Sequence, residues 1–162
     1  MPWWASKARQ LRAHLLARVT AEERRALAAW ARPAELALFD GMHTADRRHG
    51  LDVVAYLRRA GVADRDVLAA GLLHDCGKGD TGWPPRVAWS LGERYGSRVS
   101  VAAARIPGWG GAMARLRDHA DRSADAVEAA GLAPFAVALV REQDAPTDPV
   151  FGRIFHAADE AC

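Results

Sequence analysis

Apolar residues recur along the chain at three- and four-residue steps, and sustained two-residue alternation is missing. That period predicts helices and argues against strands. Trp4, Ala8, Leu11, Leu15 and Val19 share one face, which predicts a helix over about Trp4 to Val19. Thr20 with Glu23 three residues on reads as a capping box, opening a second helix that runs to about Ala31 and stops near Pro33. A short piece, Ala34 to Phe39, follows. A strong helix is expected from about Ala45 to Ala60, closed by Gly61. Asp64 caps the next, whose apolar face includes Val67, Leu68, Leu72 and Leu73 and whose end is placed at Gly77. Pro84 and Pro85 suit the first turn of a helix covering Val87 to about Tyr95. Ile106 to Gly111, with its proline and glycines, reads as a turn. Further helices fit Ala112 to Ala130, Pro134 to Gln143 and Asp148 onward. The expected fold is an all-α bundle of roughly eight helices, a single folding unit in which the helices of residues 1–44 pack on a helical domain over 45–162.

Composition narrows the class. A chain of 162 residues with half of them hydrophobic suits one core. The formal net charge of +2 gives no reason to expect a stable nucleic-acid complex. No apolar run approaches a membrane span, and Met1 to Arg12 lacks the apolar stretch of a secretory signal, so no membrane attachment is expected. Trp3 and Trp4 on a basic helix suit either a membrane-surface helix or one laid on its own domain, and the second is the expectation. Two cysteines, Cys76 and Cys162, suggest no disulfide framework, which makes the cytoplasm the expected compartment. Asparagine is absent and lysine occurs only at Lys7 and Lys78, while alanine and arginine abound. That bias points to a bacterium with a GC-rich genome, and it weakens any single arginine as a functional signal.

The residues that carry chemistry begin at Leu72-Leu73-His74-Asp75-Cys76-Gly77-Lys78. An apolar helix ends on an imidazole and a carboxylate. Burying that carboxylate unpaired is costly, and a metal ion removes the cost. A solvated His-Asp pair at a helix end is the alternative. His49 lies one turn before Val53 on the apolar side of the preceding helix. Consecutive helices joined by a short turn pack antiparallel, so the start of one, near His49, meets the end of the next, near His74. Lys78 either compensates the helix dipole or holds a phosphate, and Arg47 and Arg48 beside His49 are placed to do the same. Cys76 reads as a small packed hydrophobe.

His49, then His74-Asp75 with Gly77-Lys78, then a last helix bearing Asp159, resembles the H…HD…D pattern of the HD-domain superfamily. Arg47-Arg48-His49 through Lys78, and His119-Ala120-Asp121 leading into Ala129-Ala130-Gly131-Leu132, also match the way these domains read. The resemblance covers roughly Ala45 to Cys162. It implies a compact HD-type bundle and a divalent-metal phosphohydrolase. The implied metal ligands are His49, His74, Asp75 and Asp159, with Asp144 and Asp148 as alternatives to Asp159 and His156 as its neighbour. Manganese, iron, cobalt, nickel, zinc or magnesium suits such a set. Asp75, Lys78 and His119 are the implied catalytic residues, and Arg47, Arg48 and Lys78 the phosphate contacts.

The chain also departs from that family. Two-metal members carry histidines before the last helix, where this sequence has Arg141-Glu142-Gln143-Asp144; glutamine is a poor ligand for a transition ion, though Glu142 or Asp144 could serve. One ion per chain is therefore expected, with His119 as a phosphate contact or general acid; a surface helix-start residue is the alternative. The Gly-Tyr-Pro mark of the cyclic-di-GMP branch is missing. The expected activity is hydrolysis of a small phosphorylated metabolite, foremost a nucleotide, by a metal-activated water. The alternative is a catalytically degenerate domain that binds a ligand or regulates. Homodimerisation stays open.

Overall fold

The computed structural model describes residues 16–162. Most of the helix expected over Trp4 to Val19 lies outside them, as do Trp3, Trp4 and His14. Its expected end is corrected, because Ala17 to Val19 are not helical. Thr20 opens α1 (Ala21–Ala28) through the expected capping box: its hydroxyl accepts the Glu23 N–H at 3.1 Å, and the Glu23 carboxylate accepts the Thr20 N–H at 2.8 Å. The segment after Pro33 is a full helix, α2 (Pro33–Gly41), with proline at its first position. His43 caps α3 (Thr44–Arg59) by accepting the Ala45 N–H. Asp64 caps α4 (Arg65–Leu73), taking the Asp66 and Val67 N–H groups.

The chain then turns. α4 stops at Leu73, not at Gly77, and a single 3-10 turn spans Cys76–Lys78. Beyond it lie α5 (Trp83–Tyr95), α6 (Ser97–Ala104), α7 (Gly110–Arg117), α8 (His119–Ala129), α9 (Pro134–Arg141) and α10 (Gly152–Ala161). Among the described residues there are ten helices and no strand. The all-α expectation holds, with more and shorter helices than the hydrophobic period suggested. Gly96 at φ +105° ends α5 and admits α6. Asp118, off helical geometry at φ −103° and ψ 14°, splits the expected Ala112 to Ala130 helix into α7 and α8.

α4 is the hub. After the charged Arg65 and Asp66 it is apolar all round, and every residue from Val67 to Leu73 is buried. It packs against α2, α3, α8 and α9, and α10 closes over α3. Leu27 and Phe39 share one core with Val53, Leu57, Leu72, Val140 and Phe155. A second, smaller cluster of Ala103, Met113 and Leu116 lies under α5, α6 and α7 with Trp89 and Trp109 against it. Among the described residues no helix is long and apolar enough to cross a membrane.

Candidate metal centre

Two glycines bring the site's elements together. A Cβ on Gly50 would lie 2.2 Å from the Leu72 carbonyl oxygen, so α3 touches α4 there backbone to backbone. That contact sits beside His49 and two residues before His74. Gly77 does the same for the 3-10 turn: a Cβ would meet the His119 carbonyl oxygen at 2.5 Å, and its N–H donates to Ser123 Oγ at 2.8 Å. The antiparallel meeting of His49 and His74 expected from the helix spacing is thus realised.

His49 Nε2, His74 Nε2 and Asp159 Oδ1, from three segments of the chain, converge. The two ring nitrogens are 3.2 Å apart, and Asp159 Oδ1 lies 2.9 Å from His49 and 3.2 Å from His74. Metal–ligand bonds of about 2.1 Å set neighbouring ligand atoms roughly 3 Å apart, which is the spacing found. His74 Nδ1–H donates to the Gly71 carbonyl at 3.0 Å. That bond fixes the tautomer whose Nε2 is free to ligate. Imidazole, imidazole and carboxylate are a donor set for first-row divalent ions. This trio is the candidate metal-binding group among the described residues.

Asp75 stands next to the trio and outside its close grouping. Its Oδ2 accepts from Lys78 Nζ at 2.5 Å, and its Oδ1 faces His74 Nε2 at 3.7 Å and His119 Nε2 at 3.8 Å. The four-ligand expectation becomes three converging groups with Asp75 as their charged neighbour. Burial opposes ionisation of Asp75, but Lys78 and the surrounding imidazoles outweigh it and hold the carboxyl well below its usual range. Burial pulls the Lys78 ammonium down, and Asp75 and Asp46 more than reverse that. Burial likewise disfavours a charged His74, yet Asp75 and Asp159 raise its pKa to about 9. Asp159, raised by burial, is brought far lower by the hydrogen bonds from His49 and His74.

His49, Asp75, Lys78 and Asp159 line a cavity of about 450 Å³, a volume suited to a small ligand, with His74 buried behind them. His119 is on its wall, its Nδ1–H donating to the Leu116 carbonyl at 2.7 Å, so Nε2 faces inward toward Asp75. Arg48 lines the cavity with its guanidinium on Asp52 and Glu23. Arg47 lines a separate surface depression beside Thr20 and Arg24, and donates to Thr44 Oγ1 at 3.0 Å. His156 turns from Asp159 to the Gln143 carbonyl, 3.2 Å from its Nδ1. Asp148 caps the approach to α10 through the Val150 and Phe151 N–H groups. Glu142 is tied to Thr147, whereas Asp144 reaches the cavity. Cys76 is partly buried, and burial lifts its thiol to about 11, which keeps it protonated and unreactive.

The sequence did not single out Arg86, whose guanidinium pairs in two bonds of 2.7 and 2.6 Å with the buried Asp46 on the cavity wall. Nor did it flag the aromatic side of the cavity, Trp83 and Trp89 on α5. Gln143 entered only as a poor ligand. The order of polar and apolar residues carries no trace of a pair made across 40 positions. No family model matches the chain, and neither does any curated protein or solved structure.

Proposed function

We propose that this chain is a metal-dependent phosphohydrolase of the HD-domain type, acting on a small phosphorylated metabolite, with nucleotides as the foremost class. The observation that carries the reading is the convergence of His49, His74 and Asp159 at ligand spacing beside a ligand-sized cavity that His49 and Asp159 line. A divalent ion, when bound, polarises a phosphoryl oxygen and acidifies a water. The chain's own residues supply the rest. His119 offers an inward Nε2 that can pass a proton to the leaving oxygen. Asp75, held ionised by Lys78, is too weak a base to store a proton and serves to orient donors at the cavity wall. Lys78 keeps a positive charge where a phosphate would approach.

A second reading is a ligand-binding or regulatory module that keeps the ion without turnover. It is favoured by the cations: Arg48 and Arg86 already have carboxylate partners and Lys78 is paired with Asp75. Metal content of protein purified without chelator or nickel, measured by plasma mass spectrometry, tests the shared premise. About one ion per chain is expected, lost in His49→Ala and Asp159→Ala. No ion after incubation with manganese or iron would end both readings. An ion without phosphate release across a nucleotide screen would select the second.

A further inference from the structure

Gln143 is 2% exposed, yet both atoms of its carboxamide lack a hydrogen-bond partner. Buried amides are almost always satisfied, because an unmet donor or acceptor forfeits its hydration. The residue lines the same cavity as His49 and Asp159, and its backbone carbonyl accepts from His156 of α10, one turn from Asp159. The next residue, Asp144, is also on the cavity wall and makes no hydrogen bond or ion pair among the described residues.

We propose that Gln143, assisted by Asp144, reads the hydroxyl groups of a phosphorylated sugar moiety in this cavity. The proposal rests on the reading of the site as one for phosphate esters. A carboxamide presents one acceptor and one donor edge in a single plane. Phosphate oxygens only accept, so a phosphate answers Nε2 and leaves Oε1 unmet. Asp144 adds acceptors and a negative charge, which also disfavour phosphate at this spot. A vicinal diol answers all three demands. One hydroxyl donates to Oε1, while its neighbour accepts from Nε2 and donates to the Asp144 carboxylate. The ribose of a nucleotide and a free sugar phosphate share this chemistry.

The test uses the manganese-loaded full chain and titration calorimetry. The ligands are non-hydrolysable phosphonate analogues of a ribonucleoside monophosphate, its dideoxy form lacking both ribose hydroxyls, and ribose phosphate, with inorganic phosphate as the headgroup control. Wild type is expected to bind the diol ligand at least about tenfold tighter than the dideoxy ligand. Gln143→Leu should abolish that preference while metal content and inorganic phosphate binding stay unchanged. Its metal-free melting temperature should not fall, since an apolar side chain removes an unmet demand. Gln143→Met serves if the leucine fits badly, and the wild-type ligand comparison needs no variant. Equal affinity for ribose phosphate and nucleotide analogues assigns the free sugar phosphate; a tighter nucleotide assigns the nucleoside. No preference in wild type, or one that survives both substitutions, overturns the proposal and leaves water as the partner of Gln143. Wild type that binds neither manganese nor inorganic phosphate overturns the parent reading, and this one with it.

Discussion

The proton on His74 Nε2 sets how the centre responds to pH. Nδ1–H is committed to the Gly71 carbonyl, so Nε2 is the nitrogen that titrates. Its pKa is about 9 in the folded chain against an ordinary 6.5. A raised folded value means that stability from this proton is complete below pH 6.5 and is lost as pH climbs through about 9. The metal-free protein should therefore be less stable at pH 9 than at pH 6.5, by on the order of 2 kcal/mol, and melt at a lower temperature there. A metal ion bound under the proposed reading would compete for the same nitrogen, so manganese should raise the melting temperature more at the higher pH. Differential scanning calorimetry at both values checks this, and a gap that narrows with pH would refute it. At this scale the sequence was informative where chemistry is local. His74-Asp75 after an apolar run and His49 one turn before Val53 both signal a polar group pointed inward. Asp46 with Arg86, and the orphaned amide of Gln143, depend on chain crossings that leave no local signature.

Helices were legible where a cap marks the start, as in α1, and where a cap and a long apolar face coincide, as in α3 and α4. They were misjudged where a single residue breaks the ladder. Gly96 and Asp118 interrupt otherwise continuous helical composition, and only tertiary packing decides that the chain turns there. The end of α4 was placed too late because Gly77 looks like a helix stop, whereas its work is to let the 3-10 turn touch α8. Gly50 carries the same burden between α3 and α4. Gly50→Ala forces a Cβ onto a carbonyl oxygen, an approach that helices relieve only by separating. A loss of about 3 kcal/mol or more in urea unfolding is expected, with weaker manganese binding as His49 leaves His74. Gly41→Ala is the control: nothing lies within 4 Å of its added Cβ, so its effect should stay within about 1 kcal/mol.

Across the whole molecule the packing is uneven. α4, α8 and α9 are seated in the main core, while α5, α6 and α7 rest on the small cluster around Met113 and Leu116. The latter helices also carry the exposed Trp83, Val87, Tyr95 and Val101. Local opening follows buried contact, so amides of α5 to α7 should exchange with deuterium well before those of α4 and α9. Because α5 forms a wall of the cavity, manganese with inorganic phosphate should slow exchange there first; equal protection throughout, with and without ligand, would contradict this. The centre itself has a reach beyond chemistry. His49 and Asp159 are separated by 110 positions, so an ion shared between them fastens the final helix to the third like a clasp. Without the clasp, α10 is left to its packing on α3, and its loosening would open its backbone to proteases. The lifetime of the protein in a cell would then follow the local supply of that ion, making abundance itself a record of metal sufficiency.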